Sequence, residues 1–125
     1  MRVLLVDKRV IFLESLQRLL QANGILVVGT ASESFEALEK IRTLFPDVII
    51  IDVTGNGHER LETIKQIKLE KKTIKIIVLA DSEENMRAVG HSNTCSYLLT
   101  SIKGKDLMQK LKALELNEER IDQRL

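Results

Sequence analysis

Two aspartates close short apolar runs, Asp7 after Val3-Leu4-Leu5-Val6 and Asp52 after Val48-Ile49-Ile50-Ile51. A carboxylate at the end of a buried strand can ligate a hard cation through oxygen, or can cap the turn that follows it. Both readings are open for Asp52, because Val53-Thr54-Gly55-Asn56-Gly57 is such a turn. Lys8 follows Asp7 directly. Its ammonium can stand in for a metal electrostatically, and we expect it to point into the crevice and pair with Asp52, Asp7 or both. At about 4 Å and an effective dielectric of about 20 the attraction is on the order of 4 kcal/mol before desolvation, enough to set a side-chain orientation. The opposing reading has Lys8 snorkel outward to solvent.

Other candidates carry less chemistry. Gly55 and Gly57 are not followed by the Gly-Lys-Ser/Thr of a phosphate cradle. His58 and His91 are far apart and lack Cys or carboxylate partners at ligand spacing, so they read as surface histidines. Cys95 is the single cysteine, which excludes a disulfide framework or Cys-rich zinc site, suits a reducing compartment, and reads as a small buried hydrophobe. Lys65, Lys68, Lys71 and Lys72 read as the solvated outer side of a helix, with an acidic partner surface as the other reading.

The elements that must position these residues follow from periodicity. Five apolar runs, Val3–Val6, Ile25–Val28, Val48–Ile51, Ile74–Leu79 and Cys95–Leu99, alternate with segments of helical period. Continuous apolar runs without hairpin signals suit parallel strands buried on both faces, and the alternation argues for an α/β fold with a doubly wound five-stranded parallel sheet. Phe12, Leu16, Leu19 and Leu20 mark the first helix, with Gly24 placed to stop it. Phe35, Leu38, Ile41 and Phe45 mark the core face of the second, before Pro46. Leu61, Ile64 and Ile67 give a third, Glu83 to Val89 a short fourth, and Leu107, Leu111 and Leu114 a fifth.

With 125 residues, 44% hydrophobic and 30% charged, the chain fits one ordinary globular domain, which we place at residues 1–116. Residues 117–125 are highly charged and read as a frayed helix end or the start of a linker. A net charge of +1 is too small for a field that holds nucleic acid or an acidic membrane. No apolar run approaches the ~18 residues of a membrane span. A cytoplasmic protein is the expectation.

The acid after the first strand, the acid after the third and the stretch Pro46-Asp47-Val48-Ile49-Ile50-Ile51-Asp52 together resemble the receiver domain of two-component response regulators. Met1–Asp7, Val27-Val28-Gly29-Thr30-Ala31 and Ser96-Tyr97-Leu98-Leu99 are most similar to receivers of the helix-turn-helix DNA-binding subfamily. The resemblance implies a flavodoxin-like (βα)5 fold with strand order 2-1-3-4-5. It also implies that Asp52 stands where the family's phosphoacceptor does, with Mg²⁺ bridging it to an acid pair. A carboxylate attacking a phosphoryl group needs such a cation, because two anions otherwise repel.

Measured against that pattern, Lys8 replaces the second acid, Ala80 the hydroxyl after the fourth strand, and Thr100 the lysine after the fifth. Asp7 is the acid that remains, and Tyr97 holds the position of the family's switching aromatic. Gly90-His91-Ser92-Asn93 has weak helix propensity, so a short or partly unwound fourth helix is expected. Arg60 replaces a glycine, and with Gly55 and Asn56 the loop after Asp52 reads as pliable.

The leading expectation is an atypical receiver that acts by protein contact, without a cofactor and without enzymatic activity. Its surface would be the fourth helix, fifth strand and fifth helix, with Met86, Val89 and Tyr97 contributing and Arg87 and Lys105 at the rim. A homodimer or a protein partner is implied, with a histidine kinase a further possibility. The alternative is a conventional phosphoacceptor at Asp52 controlling a DNA-binding output, using Mg²⁺ held by Asp7 and Asp52 with help from Asp81 or Glu59. A third class, a small flavodoxin-like enzyme or cofactor carrier, lacks a phosphate loop in Asp7-Lys8-Arg9-Val10 and an Asp-x-His in Asp52-Val53-Thr54.

Overall fold

Side chains alternate along the strands so strictly that the apolar residues sort into two cores, one on each face of the sheet. Leu4, Val6, Ile49, Ile51, Ile76, Val78 and Ala80 point to one side, where Ala37, Ile41, Ile64, Ile67 and Val89 cover them. Val3, Leu5, Val48, Ile50, Ile77 and Leu79 point to the other, against Leu16, Leu20, Leu107, Met108 and Leu111. The computed structural model describes residues 1–55, 57–89, 95–101 and 104–123, the last eight by backbone alone.

The described elements are β1 (Arg2–Val6), α1 (Val10–Ala22), β2 (Leu26–Ala31), α2 (Ser34–Leu44), β3 (Val48–Asp52), α3 (Gly57–Glu70), β4 (Lys75–Ala80), α4 (Glu83–Ala88), β5 (Cys95–Leu99) and α5 (Gly104–Gln123). All strand pairs are parallel, in the order β2-β1-β3-β4-β5. The expected α/β class and strand order both hold. β2 begins one residue later than its apolar run and continues through Gly29, Thr30 and Ala31, because Leu4, Leu5 and Val6 of β1 supply partners for them. α4 has only six residues, and Gly90–Asn93, the expected reason for its shortness, lie outside the described residues.

Two expected core residues face solvent instead. Phe35 is 76% exposed and Phe45 63% exposed, because Ala37 and Ile41 supply the buried face of α2. Phe45 ends α2 in the left-handed conformation, with φ of 51°. The Arg2 guanidinium donates to the carbonyls of Leu44 and Phe45, satisfying the helix's last acceptors from the start of β1. Lys68 is likewise not a solvated residue of α3. Its ammonium donates to the Ile74 carbonyl at 2.7 Å, and partial burial lowers its pKa.

Candidate functional site

The strand order reverses between β1 and β3, so the crevice at their carboxyl ends is where this architecture gathers ligands and reactive groups. Val6 pairs with Ile51, and the next residue of each strand run is an aspartate. Asp7 and Asp52 therefore leave the sheet side by side, 5% and 6% exposed.

Arginine, not lysine, occupies the space between them. The Arg9 Nη2 lies 2.6 Å from Asp52 Oδ2 and 3.1 Å from Asp7 Oδ2. Arg9 Nε and its backbone N–H both donate to Asp7 Oδ1, at 3.3 and 2.8 Å. Asp52 Oδ1 accepts from the Thr54 backbone N–H at 2.8 Å, so each oxygen of the two carboxylates has a protein donor. The Phe12 ring supports the guanidinium, whose carbon stands 4.3 Å from the ring centroid.

The expected inward Lys8 is corrected by this geometry. The Lys8 ammonium is 3.9 Å from Glu33, with its side chain 45% exposed. The reason is the backbone: Arg9 precedes α1 in an extended conformation, φ −85° and ψ 101°. In extended chain, residues two apart share a side, so Arg9 returns to the side of Asp7 while Lys8 turns away. With the chain extended here, that alternation selects Arg9 rather than Lys8 as the cation of the crevice.

Burial pushes the Asp52 carboxyl above its ordinary pKa, with the negative charge of Asp7 acting in the same direction. The Thr54 N–H and hydroxyl and the charge of Arg9 pull the other way. Arg9 is held more firmly protonated than usual, first by its hydrogen bond to Asp7 and then by the charges of Asp52, Asp7 and Asp81.

A Mg²⁺ ion asks for about six oxygen ligands in octahedral geometry. The donor set does not fit it: the carboxylate oxygens are committed to Arg9 and Thr54, and residue 8 is a lysine that supplies no oxygen ligand. Among the described residues no group of three or more His, Cys, Asp or Glu is arranged to hold a metal.

The remaining expected residues lie at several places in the fold. Ala80 is fully buried at the end of β4. Thr100 donates its N–H to the Ala80 carbonyl at 2.8 Å, and lines a groove between α1 and α5 with Phe12, Leu16, Leu19, Leu79 and Leu107. Asp81 is exposed and accepts from the Asn85 side chain, while Glu59 and His58 are exposed at the start of α3. Tyr97 and Met86 are half-buried against the α2–α3–α4 side of the core, as is Cys95. Val89 is 3% exposed, which removes it from any docking surface, since its side chain fills the core under α4. Arg87 and Lys105 are exposed, and His91 lies outside the described residues.

Arg60 is the second residue the sequence reading missed. It is 1% exposed, and donates to Ser34 Oγ at 3.0 Å and the Ser32 carbonyl at 2.8 Å. The start of α3 is thereby fastened to the start of α2. Arg60 stands among Glu59, Glu62, Lys65 and Lys68 on α3, so its charge gave no sign of this burial.

The response regulator receiver domain family matches residues 3–112. The chain belongs to that family. It is 31% identical over 127 aligned positions to the transcriptional regulatory protein LiaR of Bacillus subtilis, covering 99% of this chain and 60% of LiaR. It is 29% identical to the nitrate/nitrite response regulator protein NarL of Escherichia coli K12, covering 87% of this chain and 52% of NarL. The chain thus spans little more than half the length of these curated relatives. Among solved structures, the isolated receiver domain of RcsB from Salmonella enterica, determined with the phosphomimetic BeF3⁻, superposes with a TM-score of 0.78 at 26% identity, covering 92% of this chain and 88% of that one. A CheY-like receiver domain protein from Methanospirillum hungatei gives a TM-score of 0.78 at 25% identity, covering 95% of this chain and 97% of that one.

Proposed function

We propose that this receiver is a pseudo-receiver, in which Arg9 takes the cation position of the crevice and the domain signals by protein contact rather than by Mg²⁺-dependent phosphorylation of Asp52. The observation that carries this is the Arg9 guanidinium between the two buried carboxylates, 2.6 Å from Asp52 and 3.1 Å from Asp7. A guanidinium fork neutralises both acids and binds them with direction, and it leaves no open position for a transferring phosphoryl group. Ala80 and Thr100 add to the case, since neither offers the hydroxyl and ammonium that the resemblance calls for at their positions.

The contact surface in this reading is α4, β5 and α5, with Met86, Tyr97, Arg87 and Lys105, and without Val89. It would serve a second copy or a protein partner in the cytoplasm, with no nucleic acid or membrane bound by this domain. No enzymatic activity is assigned to it, although one curated relative, matched over 28% of its length, is a protein-glutamate methylesterase/protein-glutamine glutaminase of Clostridium acetobutylicum. Similarity to LiaR and NarL favours a place in a longer transcription regulator.

A conventional phosphoacceptor is the second reading, favoured by the adjacent burial of Asp7 and Asp52. It requires Arg9 to leave the crevice. Beryllofluoride or acetyl phosphate with Mg²⁺, followed by amide NMR, separates the two. Unchanged amides around residues 7, 52 and 80 are expected; shifts centred on Asp52 at low-millimolar Mg²⁺ establish the second reading instead.

A further inference from the structure

The loop after Asp52 is joined to the loop before α4 through one side chain. Thr54 donates its backbone N–H to Asp52 Oδ1 at 2.8 Å, and its Oγ1 accepts the backbone N–H of Asp81 at 3.1 Å. From Asp81 the chain of contacts runs directly into the helix. The Asp81 carboxylate accepts from Asn85 Nδ2 at 2.5 Å, and Ser82 Oγ caps α4 by accepting the Asn85 N–H at 3.1 Å. Ala80 has no polar side chain, so the hydroxyl facing this gap comes from the β3 side. Asp52 thus holds the Thr54 backbone, and the Thr54 hydroxyl oxygen holds the Asp81 amide.

α4 is well suited to respond. It is six residues long, has no fully buried residue, and is held at its start by the Ser82 cap and the Asp81–Asn85 bond. An element with so little buried surface moves at low cost when its anchor moves.

We propose that Thr54 is a positioning residue that passes the charge state of Asp52 to α4, through Asp81 and Asn85. The coupling does not depend on whether Mg²⁺ can enter the crevice, so it stands apart from the pseudo-receiver reading. A change at Asp52 shifts residue 54 through its N–H bond, and the Asp81 amide held by the Thr54 hydroxyl, the first turn of α4 and Met86 follow it.

The test uses the full 125-residue chain, labelled with ¹⁵N, in four backgrounds: native, T54S, T54V and T54A. In each, the amide shifts caused by Asp52→Asn are measured. Shifts at Asp81, Asn85 and Met86 are expected in the native and T54S backgrounds, and their loss in T54V and T54A. Hydrogen exchange at the Asp81 amide is expected to be about tenfold faster in T54V, the consequence of one lost hydrogen bond, and restored in T54S. T54A serves the same comparison if T54V perturbs amides outside these loops. Two results overturn the coupling: no response at residues 81–86 in the native background, or a response of native size in T54V and T54A. A purely structural Thr54 would change exchange without erasing the response to Asp52→Asn.

Discussion

Arg9 and Asp7 stand two residues apart on extended chain, on the same side of it, and the guanidinium chelates the carboxylate while reaching 2.6 Å to Asp52 on the neighbouring strand. Because Asp7 is contributed by the end of β1 and Asp52 by the end of β3, the contact bridges the point where the sheet's order reverses. Both anions are buried, and Arg9 is the charge that makes their ionised forms tolerable there. Arg9→Ala is therefore expected to destabilise the domain at neutral pH by about 1–2 kcal/mol, below the usual cost of breaking a fully buried pair because the arginine is part-exposed. The loss should shrink as pH falls toward about 4, where unpaired carboxylates protonate. Urea midpoints of native and variant chains at pH 7 and pH 4 measure both; an equal loss at the two pH values would assign the effect to packing on Phe12.

Metal binding gives a sharper contrast. Lys8→Asp alone exchanges a neighbouring cation for an anion but leaves the guanidinium on Asp7 and Asp52, so no Mg²⁺ binding is expected. Lys8→Asp combined with Arg9→Ala frees the oxygens of Asp7 and Asp52 and exchanges a neighbouring cation for an anion, and binding at millimolar Mg²⁺ is expected. Magnesium titration of the single and double variants, read by amide shifts or calorimetry, checks it. Binding by the single variant would show that Arg9 yields its place readily.

Asp52→Asn should stabilise the domain at neutral pH, raising the thermal midpoint by a few degrees. Burial raises the folded-state pKa of Asp52, so the folded chain holds its proton more tightly than the unfolded chain does. Below the unfolded pKa of about 3.9 the two states are equally protonated at this site and nothing is gained. As pH rises through the folded pKa, ionisation costs the native state stability, and the amide is spared that cost. Thermal unfolding from pH 3.5 to pH 7.5 should show the gain appear across this interval. A variant less stable than native at pH 7 would mean that the Arg9 pair outweighs desolvation.

Much of the fold was legible because it rests on one signal repeated. Strands such as Val48–Ile51 are apolar at every position, and only a sheet covered on both faces buries all of them. Gly24 likewise marked the end of α1, and it has the positive φ, 77°, that such a stop uses. The site was legible at the level of Asp7 and Asp52, which strand ends place together. Its cation was not, because composition gives two neighbouring bases and only the extended backbone before α1 decides between them. Phe35 and Phe45 misled for a related reason: large apolar residues at helical spacing suggest a core face, but small Ala37 allows α2 to approach the sheet and turns the phenylalanines out.

Arg60 separates the contribution of charge from that of volume. Its guanidinium is buried, its Nε has no hydrogen-bond partner, and no carboxylate among the described residues lies within 4 Å of it. Burying a cation without a counter-ion is costly, and replacing it by an apolar side chain of similar length is commonly neutral or stabilising. Arg60→Met keeps the stem against α2 and loses two donors, to Ser34 and the Ser32 carbonyl, so a change within about 1 kcal/mol of native is expected. Arg60→Ala removes the stem as well, and should cost about 2–4 kcal/mol as large-to-small core substitutions do. Chemical denaturation of the two variants decides the matter. Equal, large losses in both would show that the hydrogen bonds to the start of α2, rather than the filled volume, hold α3 in place.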